Sequence, residues 1–135
     1  MSLVLDSSVT LAWPYSDETG PAVEEVFERV IAGGAWVPAL WRLEVGNSLH
    51  HAVRRGRIDA AFRDNSLADL FQLNIAIDPE TDCYAWSTTL RLAERFALTL
   101  YDAAYLELAQ RRRLPLATLD RELRVAGSAL GVSLL

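Results

Sequence analysis

Short apolar runs, each cut off by an acid or a proline, constrain this chain more than any other feature. Leu3-Val4-Leu5 stops at Asp6, Ala35-Trp36-Val37 at Pro38, Ile75-Ala76-Ile77 at Asp78-Pro79, and the run around Leu116 at Asp120. Continuous apolar runs bounded by turn signals fit strands buried on both faces. Between them lie helical patterns over residues 7–13, 21–31, 40–55, 58–73, 82–96 and 101–112, with a last one over 121–130. Residues 132–135 read as a further short strand. Alternation of this kind predicts an α/β fold: a three-layer α/β/α arrangement around a central, mainly parallel sheet of about five strands.

The 51% apolar content supports a real core, and 135 residues suit one domain, taken as residues 1–135. No apolar run approaches the roughly 18 residues of a membrane span. The N-terminus has no basic region followed by a long apolar stretch. The expectation is a cytoplasmic protein with no membrane partner. Cys83 is the single cysteine, which excludes an internal disulfide and a cysteine-built zinc site. All 13 basic residues are arginine. Without lysine there is no Schiff-base chemistry, no P-loop phosphate site, and no lysine partner for a phosphoaspartate, which disfavours receiver domains and aspartate-dependent phosphatases. A net charge of −5 argues against a passive nucleic-acid coat. It leaves room for an enzyme whose acids share one pocket.

Carboxylates stand where the elements join. Asp6 and Asp120 end strands, and Asp102 opens the helix that precedes the Asp120 strand. Singly, each has a capping explanation: Asp6 and Asp120 as N-caps, Asp102 as the acidic member of a capping box begun by Thr99. Glu44 is different. At 100° per residue it lies beside Trp41, Leu40 and Ser48, flanking the apolar stripe of Trp41, Val45, Leu49 and Ala52. Its bland alternative is to reach solvent or to pair with an arginine of its own helix. Jointly, these acids point to the carboxyl edge of a parallel sheet, where ligands bind and where helix N-termini favour anions. Carboxylates in one pocket repel each other and shift each other's pKa values. A hard divalent cation relieves that repulsion, and oxygen-only ligands select Mg²⁺ or Mn²⁺ over zinc.

With Asp6, Glu44, Asp102 and Asp120 placed, the sequence resembles the PIN domain, and in particular the VapC-type toxin ribonucleases of type II toxin–antitoxin systems. The likeness is carried in order by LVLDSSVTLAW, LWRLEVGNSL, LTLYDAAYLELA and PLATLDREL, followed by GVSLL. It implies a PIN-like fold and a Mg²⁺- or Mn²⁺-dependent endoribonuclease that cleaves RNA phosphodiesters. Asp6, Glu44, Asp102 and Asp120 would be the catalytic, metal-holding residues. Ser8 and Thr118, and with them Asn47 one turn from Glu44, would support that shell by hydrogen bonds. The resemblance also implies a homodimer and a cognate antitoxin partner. A glycine is common in this family just before the third segment. Phe96-Ala97 stands there instead, which bears on a turn and not on the chemistry.

Two arginine clusters, Arg54, Arg55 and Arg57 and Arg111, Arg112 and Arg113, fall at predicted helix C-termini. They read first as solvated charges complementing the helix dipole, and alternatively as contacts to an RNA backbone. Trp41, Phe27, Phe62, Tyr105 and Trp86 read as core or interface. Trp13 and Tyr15 read as packing residues, with stacking on a base as the alternative, and His50 and His51 as exposed. Asp6-Ser7-Ser8-Val9-Thr10 also fits D-x-S-x-[ST], the metal-adhesion pattern of an interaction module, and a catalytically silent PIN-like scaffold is the other alternative.

Overall fold

A computed structural model describes residues 1–15 and 20–135. Those residues build a four-stranded, wholly parallel sheet of strands β1 (Val4–Leu5), β2 (Ala35–Val37), β3 (Ile75–Ile77) and β4 (Leu116–Ala117), in the order β3-β2-β1-β4. The expected strand over 132–135 contributes one parallel bridge, Leu116 to Leu134. The segment is held there by the Leu116 amide donating to Ser133 (2.8 Å) and the Leu135 amide donating to Leu116 (3.1 Å). The helices are α1 (Ser7–Ala12), α2 (Pro21–Gly33), α3 (Trp41–Arg54), α4 (Ala60–Phe71), α5 (Thr81–Tyr84), α6 (Leu90–Phe96), α7 (Leu100–Arg112) and α8 (Arg121–Ala129). The expected helix over 82–96 is split by a π-helical segment, Ala85–Thr89. Among the described residues no helix is long and apolar enough to cross a membrane.

The chain moves outward from β1 to β2 and β3, then returns past β1 to add β4 on the other side. Connections leaving β1 and β4 therefore diverge, and a crevice opens at the carboxyl ends of these two strands. The strands are short, so register depends on a few bonds. Val4 pairs with both Trp36 and Leu116, and Leu5 with Ala117. The Val4 amide donates to Pro115 (2.8 Å) and the Asp6 amide to Ala117 (3.0 Å).

Leu3, Val4, Leu5, Val37 and Leu116 are at most 1% exposed, as continuous apolar strands require. In α7 every residue from Ala103 to Ala109 is buried. A helix covered on all sides is a core element rather than a surface one. It carries Tyr105 and Glu107 inward, and each needs a polar partner there. Gly34, just past α2, has φ 76° and ψ 178°, a region reserved for glycine, which lets the chain enter β2 directly. At the end of α6, Ala97 takes a left-handed conformation, φ 52° and ψ 42°. This is the site where the resembling family commonly has glycine, and alanine there costs about 1–2 kcal/mol.

Candidate active site

Asp6 leaves β1 at the crevice. By position it is the N-cap of α1, yet its carboxylate caps nothing. Instead Oδ2 accepts from Ser8 Oγ (2.6 Å) and from Thr118 Oγ1 (2.7 Å). Each hydroxyl also accepts a backbone N–H from the turn after β4: Ser8 from Leu119 (2.9 Å) and Thr118 from Asp120 (3.0 Å). Those N–H donors leave each hydroxyl's one proton free to point at Asp6. Arg124 secures the same turn by donating to the Thr118 carbonyl (2.9 Å). Asp6 is 3% exposed and Thr118 1%. One oxygen of Asp6 is thus held by two hydroxyls, while Oδ1 has no protein hydrogen-bond partner among the described residues.

Glu44 arrives from the first turn of α3. Helix α3 is docked on α1 by Trp41, whose Nε1 donates to Thr10 Oγ1 (3.0 Å), while Thr10 donates to the Asp6 carbonyl (3.0 Å). The residue is half-buried, and its Oε1 accepts a hydrogen bond from the Tyr105 hydroxyl. Burial raises the Glu44 carboxyl above its ordinary value. The Tyr105 bond opposes that rise, and the charges of Asp6 and Asp102 add to it.

Asp102 lies in the first turn of α7, where its amide donates to Thr99 Oγ1 (3.1 Å) as in a capping box. Its carboxyl is also raised, by burial first and then by Asp6 and Asp120. Asp120 is the N-cap of α8, its Oδ1 accepting from Leu123 N (3.0 Å). Repulsion therefore links Asp6 to Glu44 and Asp102, and Asp102 to Asp120. Among the described residues, no three acids stand close enough to enclose an ion as they are placed. In donor chemistry the set fits a hard divalent cation: it is made of oxygens only, and the repulsion would be relieved by positive charge. Asn47 is exposed on α3 and makes no hydrogen bond to Glu44 among the described residues. The hydroxyls of the D-x-S-x-T pattern are already committed, Ser8 to Asp6 and Thr10 to the Asp6 carbonyl.

A second ionic cluster was not foreseen from the sequence. Asp78, whose side chain is fully buried just after β3, holds Arg111 Nη2 (2.6 Å) and Arg112 Nη2 (3.0 Å). Arg111 also pairs with Glu107 Oε2 (2.7 Å) and lies over the Tyr84 ring, and Arg112 lies 3.6 Å from the Trp36 ring centre. Burial alone would raise the Asp78 carboxyl, but Arg111 and Arg112 more than offset that and hold it below the usual range. The reading of Arg111 and Arg112 as solvated charges is thereby corrected. The buried acids at 78 and 107 draw them in, while Arg113 stays exposed. Glu107 and Arg111 stand at i,i+4 on one helix, but nothing periodic ties either to Asp78. Only the apolar surroundings of Glu107 hinted that it needed a cation.

The aromatics mostly pack as expected. Trp13 stacks on Phe27 at 4.6 Å, and Tyr15 lies against Phe62 with the Arg57 guanidinium 4.4 Å from its ring centre. Phe62 and Trp86 lie outside the core, which leaves them the interface alternative. Trp86 is 89% exposed, within the π-helical segment.

The PIN domain model matches residues 3–128. The chain belongs to the PIN-domain family. It is 30% identical over 123 residues to "Ribonuclease VapC3" of Pyrobaculum aerophilum, covering 91% of this chain and 92% of that protein. To "Exonuclease VapC9" of the same organism it is 38% identical over 81 residues, 59% of this chain and 57% of that protein. The crystal structure of PAE2754 from Pyrobaculum aerophilum superposes with a TM-score of 0.69 at 26% identity, covering 93% of this chain and 84% of the other.

Proposed function

We propose that this protein is a VapC-type toxin nuclease: a Mg²⁺- or Mn²⁺-dependent endoribonuclease that cuts RNA phosphodiesters and is restrained by a cognate antitoxin. The observation that carries this reading is Asp6. It sits at the diverging crevice of the sheet, with one oxygen locked by Ser8 and Thr118 and the other open. Glu44, Asp102 and Asp120 are close enough for repulsion to run among the four acids.

Asp6, Glu44, Asp102 and Asp120 are the residues that would hold the ion. Bound there, it supplies Lewis acidity toward a phosphate oxygen and a water acidified for attack. The chain's own part is orientation. Ser8 and Thr118 fix the rotamer of Asp6, and the Leu123 amide fixes one oxygen of Asp120. The mutual repulsion that helps raise the carboxyls of Glu44 and Asp102 is what a bound cation would relieve. A cytoplasmic setting and a homodimer of one 135-residue domain belong to the same reading. It draws support from the family and from a relative named as a ribonuclease.

A second reading, a catalytically silent scaffold, is favoured by the absence of any three described acids converging on one point. Incubation of a broad RNA panel with Mg²⁺ or Mn²⁺ separates the two. The parent should cleave, chelation should stop it, and Asp6→Ala and Asp102→Ala should each lose about 100-fold or more. A circular RNA distinguishes internal cutting from the end-directed activity suggested by the name of the second relative. No metal-dependent cleavage by the parent, or equal cleavage by the variants, refutes the nuclease reading.

A further inference from the structure

We infer that Tyr105 is a positioning residue of the acid cluster: its phenol holds Glu44 with one oxygen turned to the ligand side. This rests on the proposed role of Glu44 as a metal-holding acid. Tyr105 is anchored in the middle of the buried run of α7 and is 0% exposed, so its ring has no freedom to follow a mobile partner. A buried tyrosine hydroxyl must find an acceptor, and here the acceptor is Glu44 Oε1, on another helix and 61 residues away.

The arrangement repeats the logic at Asp6. There, protein hydroxyls take Oδ2 and leave Oδ1; here, a protein hydroxyl takes Oε1 and leaves Oε2 with no partner among the described residues. Glutamate has one more rotatable bond than aspartate and loses more freedom on being fixed. A rigid donor from the core supplies that order before any ligand arrives. Outer hydrogen bonds of this kind change metal affinity by about 10–100-fold when removed.

The test uses RNA-free protein and Mn²⁺ alone, with free Mn²⁺ followed by electron paramagnetic resonance. Tyr105→Phe keeps the ring and removes one oxygen. Its Mn²⁺ affinity should fall about tenfold or more, and any lost cleavage should recover at saturating Mn²⁺. A purely structural anchor would lower the melting temperature and leave Mn²⁺ affinity unchanged, which overturns the inference. Glu44→Gln separates the two levels. If it weakens Mn²⁺ binding while Tyr105→Phe does not, the role of Tyr105 fails alone. If it binds Mn²⁺ as the parent does, the metal-holding role of Glu44 fails and that of Tyr105 with it. Should Tyr105→Phe not fold, Tyr105→Met, a flexible apolar filler that also lacks the phenol oxygen, takes its place. A several-fold loss of Mn²⁺ affinity is then expected, and parent affinity refutes the inference.

Discussion

Asp78→Asn is the most informative single change outside the acid cluster. The native carboxylate is fully buried and joined to two guanidinium groups, at 2.6 Å and 3.0 Å. Asparagine keeps the shape and removes the charge, leaving Arg111 and Arg112 with Glu107 as their remaining buried anion. Breaking a fully buried ion pair costs 3–5 kcal/mol; the arginines here are 17% and 26% exposed, and Arg111 keeps Glu107, so about 2–3 kcal/mol is expected. At this chain length that corresponds to a melting temperature lower by about 10 °C. Urea unfolding at constant m-value measures the difference directly.

The same variant has a pH signature. The native Asp78 carboxyl lies below its unfolded value of about 3.9, so its contribution is complete above that pH and is lost as pH falls through the native value. The gap between parent and variant should therefore be constant from pH 6 to 8, as an order-of-magnitude window, and narrow below about pH 4. Mn²⁺ affinity should not change, because Asp78 makes no hydrogen bond or ion pair with the acids of the crevice. A stability loss under about 0.5 kcal/mol, or a gap that does not narrow in acid, refutes the assignment of Asp78 as the keystone of this network.

Further outcomes follow from the backbone and from the Asp6 cradle. Ala97→Gly should stabilise the protein by about 1 kcal/mol in urea titration, by relieving a left-handed alanine at the end of α6; no gain would mean that the strain is absorbed elsewhere. Gly34→Ala should do the reverse and destabilise by about 2 kcal/mol or more, since φ 76° with ψ 178° is closed to other residues and the added Cβ would meet Asn74 atoms at 3.0 Å. Thr118→Val removes the 2.7 Å donor to Asp6 and the acceptor of the Asp120 amide. It should weaken Mn²⁺ binding by about 10–100-fold. Ser8→Ala should act in the same direction, and the double variant should lose less than the product of the two, because both hydroxyls serve one oxygen.

The layered fold was legible because each strand is a short apolar run ended by an acid or a proline. Such local punctuation survives in a single sequence. Asp6 and Asp120 stood out for the same reason, since each lies between a strand and a helix, whereas Asp102 follows the turn between α6 and α7. Their support was only half visible. Ser8 and Thr118 are short hydroxyl residues beside the acids and stood out, whereas Tyr105 looked like any buried aromatic. Which acceptor a buried phenol meets depends on how α7 crosses α3, and no periodicity within α7 encodes that crossing. The Asp78 network was hidden for a related reason. Its members lie on β3 and the far end of α7, 33 residues apart, and each alone resembles an ordinary cap or terminus. Of the two readings of Trp86, core or interface, its exposure removes the first.

The contact that completes Asp6 spans 112 residues of chain. Synthesis delivers Thr118 112 residues after Asp6, and β4 cannot pair with β1 before it exists. Until then Asp6 is an aspartate at the head of a short helix, with Ser8 as its nearest hydroxyl and no turn from 118 to 120 to lock it. Contacts so distant along the chain are among the slow steps of folding. The crevice therefore has a schedule as well as a geometry: the cradle around Asp6 closes only when β4 has paired with β1, and a chain still growing toward β4 lacks it.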